Sequence, residues 1–236
     1  MALVTGAGAG LGARLAEHLA DRGYDLAIHF HQSEAGALEV RRRAGAKGRR
    51  AEIFRADLTR EAGALALAGG VAEVFGRLDL LVNNAGVYLE KEFLEMTEAE
   101  WFAELNSTAT AVYFTTRALL PLLRAARGRV VNLGDGACDR PGARAFSPAY
   151  NIGKTGVYIL TRCFARSEAP HGVAVNLLSP GLMESSVGLR SPEADGVPAK
   201  RFGTSDDLLS ALDFLAGEAS PYLTGSNLIV GGGWNL

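Results

Sequence analysis

Short apolar runs alternate with longer segments of helical periodicity along the whole chain. Several of these runs are apolar on consecutive residues, which is typical of strands in a parallel sheet that helices cover on both faces. Seven runs are predicted to be strands, at residues 2–5, 25–30, 51–54, 78–82, 129–133, 173–178 and 227–230. The alternation predicts the α/β class, with a doubly wound sheet of about seven parallel strands and helices on both faces.

The chain is predicted to form a single domain over residues 1–236. Its length and its hydrophobic content of 48% are enough for one well-filled core. No internal repeat or low-complexity linker divides the pattern. The Gly/Pro-rich stretch from Pro180 to Pro198 is predicted to be a loop within this domain rather than a boundary, with a substrate loop at about residues 182–200.

Charge and cysteine content limit the partners of the chain. The 24 basic and 26 acidic residues give a formal net charge of -2, so the chain lacks the basic surplus that nucleic acid or anionic lipid attracts. Cys138 and Cys163 show neither metal-ligand nor disulfide-framework spacing. No segment has the pattern of a signal peptide or the length of a membrane span. We therefore expect a cytoplasmic protein that binds a small molecule and no metal, nucleic acid or membrane.

A glycine-rich turn joins the first predicted strand to a helix predicted at residues 13–21. The turn reads Thr5-Gly6-Ala7-Gly8-Ala9-Gly10-Leu11-Gly12. Glycines allow the backbone to turn tightly and to approach a pyrophosphate, whose charge is stabilised by free N–H groups at the helix N-terminus. An ordinary tight turn could use the same residues, but the position in the chain favours a Rossmann-type dinucleotide site formed by Gly6, Ala9, Gly10, Leu11 and Gly12.

The end of the second predicted strand bears on which dinucleotide would bind. NAD sites usually carry an acidic residue there, which binds the ribose hydroxyls. The sequence reads His31-Gln32-Ser33 instead, and these side chains offer hydrogen-bond donors to a 2'-phosphate. NADP(H) is therefore favoured over NAD(H), although Ala9 stands where many NADP(H) sites carry a basic residue. His29 and His31 could also simply alternate along a strand end.

Further motifs, at the ends of predicted strands, resemble the short-chain dehydrogenase/reductase family. The glycine turn has the spacing of that family, and its other motifs follow in order as Asp57-Leu58, Asn83-Asn84-Ala85-Gly86, Tyr150-xxx-Lys154 and Pro180-Gly181. A Tyr-xxx-Lys pair alone would be a weak signal, but this ordered set spans nearly the whole chain. The resemblance implies an NAD(P)H-dependent oxidoreductase that reduces a C=O or C=N bond by hydride transfer.

The resemblance also implies the remaining cofactor contacts. Asp57 and Leu58 would contact adenine, and the segment Asn84, Ala85 and Gly86 would adjoin the cofactor. Pro180, Gly181, Met183 and Ser185 would contact the nicotinamide, with Ser185 nearest to the usual threonine. The loop after Gly181 would close over the substrate.

Tyr150 and Lys154 are the predicted proton-transfer pair. Ser147-Pro148 predicts that a helix starts just before Tyr150, so the two side chains lie one turn apart on the same face. Because a nearby cation stabilises a phenolate, we expect Lys154 to lower the pKa of Tyr150 from its ordinary value of about 10. The resemblance implies that Lys154 also holds the nicotinamide ribose. It further implies that Asn106, at a distortion of the helical segment 99–123, holds a water in a proton relay.

Asp135 departs from the common pattern, because most members of the family have a catalytic serine at this place. A carboxyl group there can hold or pass a proton. The replacement resembles the pteridine reductase branch, as do the His29-Phe30-His31 segment and Tyr88, whose ring would stack on a pterin. Two differences remain, since the loop from Asp135 to Tyr150 is two residues longer than usual and the glycine turn lacks the arginine of that branch.

Three functions stay open at this level. The first is a pteridine or dihydropteridine reductase that uses Asp135, Tyr150 and Lys154. The second is a general carbonyl or 3-oxoacyl thioester reductase in which Asp135 is only a polar wall. The third is a non-catalytic dinucleotide-binding regulator, although the intact Asn106, Tyr150 and Lys154 argue against it.

The assembly is predicted from the resemblance alone, which implies a homodimer or homotetramer. Its interface would use the helices around Asn106 and after Tyr150. Val112, Phe114, Leu119 and Leu122 are the apolar residues expected there, although some of them must face the sheet.

Overall fold

One seven-stranded sheet organises the computed structural model, which describes residues 1–140, 142–186, 194–217 and 222–234. Its strands are β1 (Ala2–Val4), β2 (Leu26–Phe30), β3 (Ala51–Arg55), β4 (Leu80–Asn83), β5 (Arg129–Leu133), β6 (Ala174–Pro180) and β7 (Asn227–Val230). All neighbouring strands are parallel, in the order β3-β2-β1-β4-β5-β6-β7. The predicted doubly wound α/β fold is confirmed, and every predicted strand lies within two residues of its observed bounds.

Helices cover both faces of this sheet. They are α1 (Gly10–Asp21), α2 (Glu34–Ala46), α3 (Glu61–Phe75), α4 (Glu98–Leu105), α5 (Ala111–Ala126), α6 (Pro148–Glu168) and α7 (Ser205–Ala216). A π-helical turn, Asn106–Thr110, joins α4 to α5. Single 3-10 turns lie at Phe93–Glu95, Ala169–His171, Glu184–Ser186 and Ala194–Gly196.

The strands are apolar on consecutive residues because each face of the sheet has its own hydrophobic core. Val4 of β1 packs with α1, α2 and α7 on one face, whereas its neighbour Leu3 packs with α3, α5 and α6 on the other. Leu80 and Leu81 of β4 divide between the faces in the same way. Successive strand residues point to opposite faces, so a sheet buried on both sides requires apolar residues at every position.

The chain builds one side of the sheet from β1 through β2 to β3 and then returns, so that β4 pairs with β1 on its other side. The strand order therefore reverses between β1 and β4. In doubly wound sheets, ligands bind at this switch point, in the crevice outside the carboxyl ends of the strands. The residues that follow β1, β4, β5 and β6 therefore meet at one edge. These are the segments that begin at Thr5, Asn84, Gly134 and Gly181.

The interface residues predicted on α5 are mostly part of the monomer core. Val112 and Leu119 are 4% and 0% exposed, so they are the members of the predicted set that face the core rather than an interface, because the helical period turns them towards the sheet and α6. Phe114 and Leu122 are partly buried against the same core. The large apolar side chains that helices α4 to α6 do expose are Phe102, Tyr113, Ile152 and Ile159.

Within the described ranges, no helix is both long and apolar enough to cross a lipid bilayer. The same part of the chain holds no group of three or more His, Cys, Asp or Glu side chains arranged to bind a metal ion.

Candidate active site

The glycine turn after β1 leaves no room for side chains at its closest approaches. Gly6 and Gly10 have φ of +64° and +53°, a left-handed conformation that glycine adopts without strain. A Cβ on Gly12 would lie 2.3 Å from the carbonyl oxygen of Gly6 and 2.4 Å from Nδ2 of Asn84. The turn leads directly into α1, whose first N–H groups have no helical acceptor. This tight cradle fits the pyrophosphate of a dinucleotide.

His29 fixes the glycine turn from inside the sheet. Its ring is only 2% exposed, and its Nδ1 accepts a hydrogen bond of 3.1 Å from the N–H of Gly6. Nε2 lies 3.1 Å from the carbonyl oxygen of Ala56 and so must be the protonated nitrogen. Burial lowers the pKa of His29 from 6.5 to about 4, which keeps the ring neutral. His29 is therefore a structural residue, and its resemblance to the histidine of pteridine reductases carries no argument about the substrate.

The segment His31, Gln32 and Ser33 lies beside the glycine turn and is exposed to solvent. A Cβ on Gly8 would lie 2.4 Å from the carbonyl oxygen of Ser33, and a Cβ on Gly36 would lie 1.8 Å from that of Gly8. The two loops therefore touch through their backbones. This contact brings the three polar side chains to the edge of the glycine turn.

Asp57 and Leu58 follow β3, and their side chains differ, since that of Asp57 is hydrogen-bonded and that of Leu58 packs in the core. Oδ1 of Asp57 accepts hydrogen bonds from the backbone N–H and the hydroxyl of Thr59, at 3.0 and 2.6 Å, and the hydroxyl contact chiefly lowers the pKa of Asp57. The side chain of Leu58 is 5% exposed and packs in the core. Leu58 could therefore reach a ligand only through its backbone.

The segment Asn84, Ala85 and Gly86 is held directly against β1. The hydroxyl oxygen of Thr5 accepts hydrogen bonds from the N–H groups of Asn84 and Ala85, at 2.9 and 3.0 Å. Nδ2 of Asn84 donates to the carbonyl oxygen of Thr5 at 3.0 Å. The preceding Asn83 is buried and donates to Asn132 of β5 at 2.8 Å. These bonds join the carboxyl ends of β1, β4 and β5 into one wall.

Helix α6 begins as predicted at Pro148, but its start is not capped by the side chain of Ser147. Ser147 has a left-handed φ of +46°, and its hydroxyl donates to the carbonyl oxygen of Leu89 instead. The N–H of Tyr150 in the first turn is bound by a carboxylate from another helix, Oε2 of Glu104, at 3.0 Å. The side chain of Ser147 therefore does not cap α6, and a residue distant in the chain supplies an acceptor for its first turn.

Tyr150 and Lys154 lie one turn apart on α6, as predicted, and both border the same cavity. Nζ of Lys154 is 5.4 Å from the centre of the Tyr150 ring. The ammonium group donates a hydrogen bond of 2.7 Å to the carbonyl oxygen of Leu133, at the end of β5. Lys154 is 5% exposed, and burial lowers its pKa from 10.5 to about 8.

The expected lowering of the tyrosine pKa does not occur in this environment. Burial raises the pKa of Tyr150 above its ordinary value, and the charge of Asp135 adds to the rise. The ammonium of Lys154 is directed at a backbone carbonyl, so it does not offset these effects. The phenol is therefore held in its protonated form.

Asp135 stands at the carboxyl end of β5, in the wall of the same cavity. Its Oδ1 accepts a hydrogen bond of 2.9 Å from the N–H of Ala137, which fixes the carboxylate at the start of the following turn. Its charge raises the pKa values of both Tyr150 and Lys154. Asp135 is thus electrostatically coupled to the predicted proton-transfer pair.

Asn106 lies at the start of the π-helical turn Asn106–Thr110. The distortion expected at this residue is confirmed, whereas its water-holding role remains a prediction. The turn packs closely on α6, since a Cβ on Gly153 would lie 1.8 Å from the hydroxyl oxygen of Thr108. Oδ1 of Asn106 accepts a hydrogen bond from the hydroxyl of Thr110 at 3.2 Å.

A cavity of about 550 Å³ opens at this edge of the sheet. Ten of the predicted site residues border it, namely Leu11, Asn84, Tyr88, Asp135, Tyr150, Lys154, Pro180, Gly181, Met183 and Ser185. The other predicted residues are placed outside its wall, and they are Gly6, Ala9, Gly10, Gly12, His31, Gln32, Ser33, Asp57, Leu58, Ala85, Gly86 and Asn106. Most of these belong to the glycine turn and its neighbouring loops.

Tyr88 is 53% exposed and contacts the ring of Tyr150 edge to face, with ring centres 5.1 Å apart and an angle of 78° between the planes. Sequence reasoning missed Glu90, Arg144 and Trp234, which also border the cavity. It also missed Glu104, which is fully buried. The signal for Glu104 was an acidic residue two positions before Asn106 in a segment otherwise apolar enough to pack.

The loop after β6 is described only in part. Met183 is 5% exposed and packs in the core, and its backbone pairs with that of Gly203. Ser185 is exposed at the cavity mouth. Residues 187–193, part of the loop expected to close over the substrate, lie outside the described residues.

Comparison with known proteins agrees with this geometry. The short chain dehydrogenase family matches residues 1–195. An acetoacetyl-CoA reductase from Allochromatium vinosum is 34% identical, over 99% of this chain and 97% of its own length. A 3-oxoacyl-(acyl-carrier-protein) reductase from Staphylococcus epidermidis is 32% identical, over 98% and 97%.

Solved structures give the same result. A short chain dehydrogenase from Burkholderia cenocepacia in complex with NADP superposes with a TM-score of 0.91 at 31% identity, covering 100% of this chain and 97% of that one. A blue fluorescent protein from a metagenomic library, in complex with NADPH, superposes with a TM-score of 0.91 at 30% identity and the same coverage. The chain therefore belongs to the short chain dehydrogenase family and is an NAD(P)-dependent oxidoreductase.

Proposed function

We propose that the protein reduces the ketone of a 3-oxoacyl thioester, or of a similar small carbonyl compound, to a hydroxyl group with NADP(H). The observation that carries this proposal is the group formed by Tyr150, Lys154 and Asp135 in one cavity at the switch-point edge of the sheet. The two relatives described above, an acetoacetyl-CoA reductase and a 3-oxoacyl-(acyl-carrier-protein) reductase, support the substrate class. The bound dinucleotide would supply the hydride.

Tyr150 would donate the proton to the carbonyl oxygen. Because its pKa is raised, the phenol carries its proton at neutral pH, as a donor in the reductive direction must. Lys154, held by the carbonyl of Leu133, would orient the ribose of the cofactor and return a proton to Tyr150 through a water at Asn106. In this reaction Asp135 would tune the pKa values of Tyr150 and Lys154 without touching the substrate.

The glycine turn would bind the pyrophosphate through Gly6, Ala9, Gly10, Leu11 and Gly12. The adenine would contact Asp57 and the backbone of Leu58. The segment Asn84, Ala85 and Gly86 would adjoin the nicotinamide ribose, and Pro180, Gly181, Met183 and Ser185 would contact the nicotinamide ring.

We propose NADP(H) rather than NAD(H) as the physiological cofactor. His31, Gln32 and Ser33 follow β2 without a carboxylate, and Ser33 lies against Gly8 of the glycine turn, where donors can reach a 2'-phosphate. The complexes of related structures with NADP and NADPH support this choice. A direct test is the dissociation constant of each reduced dinucleotide, measured from its fluorescence; tighter binding of NADH would contradict the choice.

Pteridine reduction is the second candidate function. Two observations favour it, the carboxylate of Asp135 in the cavity wall and the half-exposed ring of Tyr88, edge-on to Tyr150. In that reaction Asp135 would contact the pterin and take part in proton transfer.

A substrate panel separates the two candidates. NADPH oxidation is followed with an acetoacetyl thioester, a small diketone and dihydrobiopterin. We expect turnover of the thioester, and turnover of dihydrobiopterin alone would replace the first proposal by the second. The Asp135→Ser variant sharpens the result, because it should impair pterin reduction strongly and thioester reduction only modestly.

We further propose that residues 1–236 act as one cytoplasmic domain, with residues 182–200 bordering the substrate, and that the protein assembles as a homodimer or homotetramer. The exposed side chains of Phe102, Tyr113, Ile152 and Ile159 support the assembly, since α4 to α6 leave them open to solvent. Light scattering coupled to size-exclusion chromatography tests it, and a monomer at working concentration would contradict it.

A further inference from the structure

Glu104 is a buried carboxylate that the proposed reaction does not use. It lies near the C-terminal end of α4 and is 0% exposed. Its Oε1 accepts a hydrogen bond of 2.6 Å from the N–H of Leu89, and its Oε2 accepts one of 3.0 Å from the N–H of Tyr150. A buried charge is costly unless hydrogen bonds compensate it. Here the compensation comes from two backbone donors in different segments, one of them at the start of α6.

The two donors adjoin the aromatic pair at the cavity. Leu89 is the neighbour of Tyr88, and the second donor belongs to Tyr150 itself, whose ring contacts Tyr88 at 5.1 Å. The same segments are joined again through Ser147, whose N–H donates to the carbonyl oxygen of Lys91 at 2.8 Å. Glu104 therefore holds the loop after β4 and the first turn of α6 in one register.

We propose that Glu104 is a positioning residue, whose single carboxylate sets the placement of the proton donor Tyr150 relative to Tyr88. This inference rests on the proposed function, because it assigns Glu104 a part in placing that donor. Glu104 does not touch the substrate, and it acts through the backbone N–H groups that it binds. Small errors in the placement of a reacting group reduce rates strongly.

The charge of Glu104 has a second consequence for the phenol. Burial and the charge of Asp135 raise the pKa of Tyr150, and the charge of Glu104 adds to this rise. The other titratable groups that face the phenol are Tyr88 and Cys138, and the ammonium of Lys154 faces the ring from the next turn. Removing the charge should therefore lower the pKa of Tyr150. A residue with a merely structural role would leave the pH dependence of the rate unchanged.

The test compares Glu104→Gln with Glu98→Gln, the same chemical change at an exposed position of α4. Glutamine has one acceptor oxygen and one amide donor, so it can bind only one of the two N–H groups. For E104Q we expect kcat of thioester reduction to fall about ten- to a hundredfold. NADPH affinity should stay within about twofold, since the glycine turn shares no partner with Glu104. E98Q should match the wild type.

The pH profile provides the decisive readout. In the direction of alcohol oxidation the rate rises as the phenol loses its proton, and E104Q should move this rise to lower pH. Glu104→Asp keeps the charge but is too short to reach both donors, so it should lower kcat without moving the profile. If E104Q does not fold, E104D carries the kinetic test alone. An unchanged kcat in whichever variant folds would overturn the proposal, as would an unmoved profile in E104Q.

Hydrogen exchange separates this inference from the proposed function. In E104Q, or in E104D, the amides of Leu89 and Tyr150 should lose protection relative to E98Q, whether or not any thioester is turned over. If wild type turns over none of the panel substrates, the proposed function fails while this readout still decides the role of Glu104. Unchanged protection of both amides would overturn the positioning role.

Discussion

The two halves of the ligand-binding edge are built on different physical principles. The half around β1 to β3 is shaped by close backbone contacts, at positions such as Gly8 and Gly12 where no Cβ fits, and by a neutral histidine. The half around β4 to β6 gathers ionisable groups that are shielded from water, including half-buried Tyr150 and buried Lys154. The first half should therefore respond to substitution through shape and cofactor affinity. The second should respond through reaction rate and pH dependence.

The largest expected effect tests the half around β4 to β6, where the ionisable groups gather. Replacing Tyr150 by phenylalanine removes the proposed proton donor and keeps the ring that packs against Tyr88. We expect kcat for thioester reduction to fall by about 10²- to 10⁴-fold, the usual contribution of a general acid. NADPH affinity, measured by fluorescence titration, should change little.

The matched control is Tyr158→Phe, two turns further along α6, whose hydroxyl accepts a hydrogen bond from Arg162. This variant should keep nearly full activity. Full activity of Tyr150→Phe would show that Tyr150 is not the proton donor. It would also contradict the expectation that the half around β4 to β6 governs the reaction rate.

The next largest effect concerns His29, in the half of the ligand-binding edge around β1 to β3. Burial lowers the pKa of His29 from 6.5 to about 4, so between these values the unfolded chain binds a proton that the folded chain does not. Stability from this residue is complete above pH 6.5 and is lost as pH falls towards 4, by up to about 3 kcal/mol. Urea unfolding of the wild type and of His29→Gln across this range measures the difference.

His31→Gln serves as the comparison, because His31 is exposed at the end of the same strand. It should leave the acid slope of stability unchanged. If His29→Gln keeps the slope of the wild type, the ring is not neutral in the folded protein, and the assignment of its Nδ1 as the acceptor from Gly6 is wrong.

A smaller effect tests whether shape governs the glycine turn. Gly12→Ala would place a methyl group 2.3 Å from the carbonyl oxygen of Gly6, so the turn must shift. We expect NADPH to bind about tenfold more weakly, with kcat at saturating cofactor nearly unchanged. Gly69→Ala in α3, where a Cβ meets nothing within 4 Å, should bind NADPH normally and melt at the same or a higher temperature. Equal affinities of the two variants would contradict a shape-determined site.

The smallest expected effect concerns the electrostatic coupling of Asp135 to Lys154, in the half around β4 to β6. Because the pKa of Lys154 is about 8, kcat/KM for reduction should decline as pH rises through that value and Lys154 loses its charge. Asp135 raises this pKa, so Asp135→Asn should move the decline to lower pH, by about one unit or less. A move to higher pH would show that Asp135 is not coupled to Lys154 in the way that the geometry indicates.

Most of the fold was predictable because its signals are local. The strand β5 (Arg129–Leu133) and the start of α6 at Pro148 agree with the sequence prediction, since apolar runs and a helix-starting proline depend only on neighbouring residues. Interface residues were predicted less well. Val112 and Leu119 lie on the buried side of α5, and helical periodicity alone does not say which apolar side faces the sheet.

The features of the site were likewise predictable only where a few consecutive residues determine them. The glycine turn and the Tyr150–Lys154 spacing were visible in the sequence, because each is set by a few consecutive residues. The cap of α6 by Glu104 was not, since the two residues that it joins are 46 positions apart. The role of His29 was hidden for the same reason, as its partners are Gly6 and Ala56, which follow the two neighbouring strands β1 and β3.

The sequence by itself determined the alternation of strands and helices, the glycine turn after β1 and the placement of Tyr150 and Lys154 on one helix face. Tertiary structure alone decided the protonation of the site. It placed the phenol beside Asp135 in a partly desolvated site, directed the ammonium of Lys154 to the carbonyl of Leu133, and so raised the tyrosine pKa that the spacing had suggested would fall. The physical reason is that periodicity and turn formation act between neighbours in the chain, whereas desolvation and Coulomb interactions act between neighbours in space.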